Sequence, residues 1–150
     1  MLYSEYRKNI LAGSCPFCHP DDRKFLENKT AFLTYGIAPY HKHHLLVIPK
    51  EHKISFLEFG REELDEIWDL IRKGAALLLV LGYENYTVMV REGKNTSKSI
   101  AHLHYHIIPD SRIGDLDHEG KARRVMTQEE IHSVSQEIRG AIQKLTFTGL

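Results

Sequence analysis

The stretch Ala101-His102-Leu103-His104-Tyr105-His106-Ile107-Ile108-Pro109 sets three imidazoles at alternate positions. Histidine titrates near neutrality and offers a lone pair or a proton, so such a run suits metal binding, proton transfer or nucleophilic attack. In an extended strand successive side chains point to opposite faces. His102, His104 and His106 then share one face, with Leu103, Tyr105 and Ile107 on the other. The i, i+2 repeat of roughly 6.5–7 Å makes them a row, able to follow an extended anion or to serve separate sites at its two ends. Two chemistries fit that row. One is H-x-H metal ligation, completed by neighbouring strands. The other is attack of a neutral imidazole on phosphorus, giving a covalent intermediate that water resolves. The second needs a partner that holds the tautomer and donors for the charge on phosphorus.

Two further groups carry chemistry. His41, His43 and His44 form a second concentration, so that six of the ten histidines fall within residues 41–44 and 102–106. Cys15-Pro16-Phe17-Cys18 has the C-x-x-C spacing of a zinc knuckle. In the cytoplasm, the compartment expected below, that spacing points to metal or redox chemistry before a structural disulfide.

The elements that must position these residues follow from periodicity. Residues 3–12 predict a short helix stopped by Gly13. Residues 32–37 and 45–48 predict two strands of an antiparallel hairpin, joined through Ala38-Pro39-Tyr40. From Arg61 to Leu81, Leu64, Ile67, Trp68, Ile71, Ala75 and Leu78 recur at helical spacing, and Gly82 ends the run. Tyr86–Val90 and His102–Ile108 predict strands on either side of a polar loop, residues 91–99. After a charged, irregular stretch (residues 110–126), Thr127 and Glu130 form a capping box for a helix over about 127–144. The expectation is an α+β fold: a small antiparallel sheet with packed helices, in one domain over residues 1–150.

Composition narrows the partners. Twenty Lys and Arg balance twenty Asp and Glu, which argues against bulk electrostatic attachment to nucleic acid or anionic membrane. No segment approaches the roughly twenty apolar residues of a membrane span. The N-terminal MLYSEYRKNI carries charges where a signal peptide needs an apolar stretch, so the predicted compartment is the cytoplasm.

These motifs make the chain resemble the histidine triad (HIT) family, whose signature His-φ-His-φ-His-φ-φ is matched at all seven positions by His102–Ile108. His44 precedes an apolar run ending at Pro49, as in the family's upstream strand, and Ser99 matches its phosphate-binding serine. The similarity spans about residues 13–110. It implies a histidine-triad-like fold and a nucleotidyl hydrolase acting on a phosphoanhydride or phosphoramidate, such as a dinucleoside polyphosphate or an AMP-amide. His104 would attack the α-phosphate, His106 and His44 would contact it, and Ser99 would donate to a phosphate oxygen or the leaving group. Arg91 and Lys98 stand where the family has Asn and Gln, and two such cations favour a more anionic substrate. His43 replaces a glycine, and Thr34-Tyr35-Gly36 stands where the family has a ribose-binding Asp. The resemblance also implies a closed structural zinc site of Cys15, Cys18, His52 and His102, with His19 an adjacent substitute, and a homodimer. Other readings are a phosphorylase or nucleotidyltransferase of the same fold, a nucleotide sensor without turnover, and an enzyme whose triad holds a catalytic metal.

Overall fold

The computed structural model describes all residues except 1, 12, 21, 94, 95, 97–99, 112, 113, 116–118, 149 and 150. The chain forms two compact units, residues 1–112 and 113–150. In the first, helix α1 (Tyr3–Leu11) is followed by strands β1 (Leu26–Glu27), β2 (Ala31–Tyr35) and β3 (Leu45–Pro49). A single 3-10 turn (Phe56–Glu58), helix α2 (Arg61–Val80) and strands β4 (Tyr86–Val90) and β5 (Tyr105–Pro109) complete it. The second unit carries helix α3 (Gln128–Thr148).

The strands pair in the order β1-β2-β3-β5-β4, every pair antiparallel. Alternation along these strands makes two apolar faces. Leu33, Leu45, Val47, Leu103, Tyr105 and Ile107 pack with Ile67, Leu70, Ile71 and Leu78 of α2. Phe32, Leu46 and Ile48 form the opposite face, where Phe17 and Ile100 cover them. The α2 stripe is rotated slightly from the expected one. Trp68 is 53% exposed, while Leu70 and Gly74 are buried in its stead. Gly74 marks the closest approach of helix to sheet: a Cβ there would lie 2.5 Å from Ile107 Cδ1 and 3.2 Å from Leu33 Cδ1. At the other end of the helix, Gly82 has φ +91°, and the Tyr83 N–H donates to the Leu78 carbonyl over 3.0 Å. That is a Schellman stop, which favours glycine at the left-handed position.

Two expectations are corrected. The strand predicted over His102–Ile108 begins only at Tyr105, because Leu103 pairs outside the sheet, its N–H donating to the Lys53 carbonyl over 2.8 Å. The segment between α1 and β2 also adds the short edge strand β1, whose Leu26 and Glu27 face Leu33 and Phe32. In the second unit the Thr127 capping box forms as expected: the Glu130 N–H donates to Thr127 Oγ1 and the Thr127 N–H to Glu130 Oε2. Among the basic residues ahead of α3, Arg124 pairs with Glu130 and Lys121 with Glu119.

Candidate active site and metal centre

The register of the central strands decides which side chains meet. Leu46 of β3 and Met89 of β4 both lie opposite His106 of β5, so His106 emerges on the face away from α2. His44, two residues before Leu46, points the same way and sits buried with Nε2 2.9 Å from His106 Nδ1. The two rings stack at 5.1 Å with 29° between planes. His104 lies 4.8 Å from His106, ring to ring, closer than the strand repeat because it precedes the regular strand.

Hydrogen-bond partners assign the protons. His104 Nδ1 lies 2.8 Å from the His102 carbonyl, which can only accept, so Nδ1 carries a hydrogen and Nε2 is the nitrogen that holds the lone pair when the ring is neutral. The Tyr40 N–H donates to His44 Nδ1 over 3.3 Å. His44 therefore donates from Nε2 to His106 Nδ1, and His106 keeps its own hydrogen on Nε2. A lone-pair imidazole and a donor imidazole thus stand side by side. His44 and His106 remain neutral at physiological pH. Burial first, then repulsion from His104 whenever that ring is protonated, holds His44 at about 4 and His106 at about 3, with Arg91 pushing both in the same direction.

His104 and His106 line a cavity of about 280 Å³. Its apolar wall includes Phe17, Phe32, Leu46, Ile48 and Ile100, a surface suited to a planar base. Phe17 meets His104 edge-on at 5.0 Å. Arg91 also lines the cavity, its Nη1 donating to Tyr40 Oη over 2.9 Å. Lys98 and Ser99 lie outside the described residues. Thr34 lines the cavity, but its hydroxyl donates to the Arg23 carbonyl over 2.5 Å. His41 and His43 do not join the cavity lining. They pack on Tyr83 instead, with His43 Nδ1 2.7 Å from its hydroxyl.

The first histidine of the run turns to a different site. His102 Nε2 lies 2.8 Å from the Pro49 carbonyl and donates to it, which leaves Nδ1 as the lone-pair nitrogen. That Nδ1 lies 3.5 Å from Cys15 Sγ and 3.6 Å from Cys18 Sγ, and His52 Nδ1 is 3.2 Å from Cys18 Sγ. Ligand atoms of Cys15, Cys18, His52 and His102 all fall within 4.8 Å of one another. Two thiols and two imidazoles at these separations fit the edges of a tetrahedral metal site, and the Pro49 carbonyl supplies the second hydrogen bond that ligating histidines usually make. The cluster can hold a metal ion. Exposed His19 takes no part in it.

Reading the residues alone missed Tyr40, Phe17 and Arg23. Tyr40 falls in a turn with no motif around it. What would have pointed to it is the antiparallel register of β2 and β3, which folds residues 36–44 back over His44.

Fold, cavity and paired imidazoles together define an α+β protein built around a histidine triad. A family profile for the HIT domain matches residues 19–113, and the chain belongs to that family. It is 32% identical over 120 residues to an adenosine 5'-monophosphoramidase of Schizosaccharomyces pombe, covering 80% of this chain and 88% of that protein. A protein from Leishmania major of known structure superposes with a TM-score of 0.68 at 26% identity, over 89% of this chain and 99% of that one. The fold is likewise that of a histidine triad nucleotide-binding protein from Candida albicans, with a TM-score of 0.72 at 20% identity, over 88% of this chain and 99% of that one.

Proposed function

We propose that this protein is a nucleotidyl hydrolase that cleaves a nucleotide phosphoanhydride or phosphoramidate through a covalent nucleotidyl-histidine on His104. The observation that carries the proposal is the pair of hydrogen-bonded rings on the cavity wall: His104, whose Nδ1–H is held by the His102 carbonyl so that Nε2 holds the lone pair of the neutral ring, beside a protonated Nε2 on His106. The first is a nucleophile that needs no separate base, and the second is a donor for a phosphoryl oxygen. In the first step the His104 lone pair forms an N–P bond as the bond from phosphorus to the leaving group breaks. In the second, water adds to phosphorus and the bonding pair returns to His104.

His44, expected as a phosphate contact, has both ring nitrogens engaged, by the Tyr40 amide and by His106, and so acts through His106 by fixing its tautomer. Arg91, Lys98 and Ser99 are assigned to the substrate, with Ser99 donating to a phosphate oxygen or to the leaving group. The kinship with a monophosphoramidase supports a nucleoside α-phosphate as the reacting group. Cys15, Cys18, His52 and His102 are assigned to zinc, which would cross-link the N-terminal knuckle to the start of the triad and take no part in the chemistry. The cytoplasm and a homodimer complete the reading. Exposed Trp68 and Leu79 of α2 give a second copy apolar surface to cover, and no described helix is long and apolar enough to cross a membrane.

The test is a substrate panel of AMP-amide and dinucleoside polyphosphates, with quenched samples read by mass spectrometry. One nucleotidyl group on the His104 peptide is expected, absent in His104→Ala. Turnover that survives His104→Ala and vanishes with a chelator would transfer the chemistry to a metal. Tight binding without turnover on the whole panel would make the protein a sensor. Nucleoside diphosphate formed when inorganic phosphate is added would make it a phosphorylase.

A further inference from the structure

Arg23 and Arg91 are the charged residues among those described around the cavity, and no described carboxylate lines it. Arg91 is the one beside the histidines. Met89 stands opposite His106, and Arg91, two residues on, leaves the end of β4 toward the same face. Its guanidinium is held twice by Tyr40, through the 2.9 Å hydrogen bond to the hydroxyl and by lying 5.5 Å from the ring centroid. Tyr40 in turn packs 5.7 Å from the His44 ring and supplies the amide that sets the His44 tautomer. One short segment therefore orients both the imidazole pair and the cation beside it. An arginine ordered in this way loses little further freedom when an oxyanion arrives, and Tyr40 Oη occupies only one of its five N–H donors.

We propose that Arg91, held by Tyr40, selects the leaving group by charge, favouring nucleotides whose leaving group departs as an anionic phosphate chain over those that release a neutral amine. This rests on the nucleotidyl-histidine reading above.

The two leaving groups differ in what their departure requires. With a phosphoanhydride, His104 Nε2 bonds to the α-phosphorus, the bridging P–O bond breaks, and its electron pair stays on the departing phosphate chain. The chain gains one negative charge where a guanidinium can meet it with charge-assisted hydrogen bonds. With a phosphoramidate, the P–N bond breaks and the nitrogen must take a proton, from His106 Nε2–H or from water, to leave as an amine. Arginine cannot supply that proton, since its pKa exceeds 12. A fixed positive charge also opposes protonation of a neighbouring nitrogen. Hydrolysis of the intermediate is common to both: water forms the new P–O bond, the P–N bond to His104 breaks, and one proton is released. Arg91 therefore acts on the step that distinguishes the substrates.

The experiment compares kcat/KM for a dinucleoside tetraphosphate and for AMP-amide in the wild type, Arg91→Ala, Arg91→Lys and Tyr40→Phe. The anhydride-to-amide ratio is expected to fall about 10- to 100-fold in Arg91→Ala, the worth of one charge-assisted contact. It should fall less in Arg91→Lys, which keeps the charge without the fork, and by a few-fold in Tyr40→Phe. Equal losses on both substrates would give Arg91 a merely structural role and overturn the proposal, as would a ratio that rises. Thermal unfolding of each variant checks that the fold persists. The underlying reading fails by a separate sign, the absence of any His104 adduct in the wild type with either substrate.

Discussion

His44 Nε2 donates to His106 Nδ1 across 2.9 Å, joining residues 62 positions apart in the chain. The bond exists because adjacent antiparallel strands, β3 and β5, put both rings on one sheet face. It also makes the site sensitive to acid, since a doubly protonated imidazole has no nitrogen with which to accept.

The pH dependence of stability follows from that pair. Both folded values, about 4 for His44 and about 3 for His106, lie below the ordinary 6.5. Between roughly pH 6.5 and 4 the unfolded chain thus binds more protons than the folded one. Stability is full above that window and declines as pH falls through it, by about 1.4 kcal/mol per pH unit per histidine. Urea denaturation at stepped pH should show this slope, and His44→Gln should remove about one proton's share of it. A slope unchanged in His44→Gln would refute the assignment.

Gly36 makes the relay possible at close quarters. A Cβ there would come within 3.0 Å of His44 Nδ1, the atom that accepts from Tyr40. Gly36→Ala should displace the imidazole and lower turnover about 10-fold, one lost positioning contact, while changing the melting temperature by only a few degrees. Activity equal to wild type would show that the ring has room to move.

Gly74 is a test of packing. Alanine gains up to about 1 kcal/mol of helix propensity, yet its methyl would meet Ile107 and Leu33 at the helix–sheet contact. Overpacking of this kind typically costs about 1–3 kcal/mol, so a net loss of roughly 1–2 kcal/mol is expected in chemical denaturation. A stabilised variant would mean that α2 can shift outward without loss.

The proposed zinc assignment predicts a stoichiometry. Purified protein should carry one zinc per chain by elemental analysis, and Cys15→Ser or Cys18→Ser should abolish it. Stripping the ion should lower the melting temperature, because ligand binding to the folded state alone is folding free energy. Metal-free wild-type protein that melts identically with and without added zinc would end this assignment.

Much of this was legible in residue order. The period-3.6 stripe marked α2, the capping box at Thr127 and Glu130 marked the start of α3, and YTVMV marked β4 at its observed bounds, Tyr86–Val90. The errors share a cause. Trp68 sits at a helical position that the stripe includes but the sheet does not reach, since the rotation of α2 is set where Gly74 lets it touch Ile107. The run at 102–104 alternates like a strand, yet Leu103 is drawn to Lys53 instead of a sheet neighbour. Edge strand β1 is two residues long and has no periodicity to detect.

For the site the division is similar. Covalent order alone marked the residues that could carry chemistry: the spacing of His102, His104 and His106, the C-x-x-C pair, and a neutral charge balance that argues against attachment by bulk charge. Tertiary structure decided which atom of each ring does what. A tautomer is chosen by the partner of the opposite nitrogen, and here those partners are the His102 carbonyl, the Tyr40 amide and the Pro49 carbonyl. They reach the rings only because strand register and loop closure bring distant backbone against them. Spacing names the candidate ligands and the candidate nucleophile; three-dimensional hydrogen bonding assigns their protons.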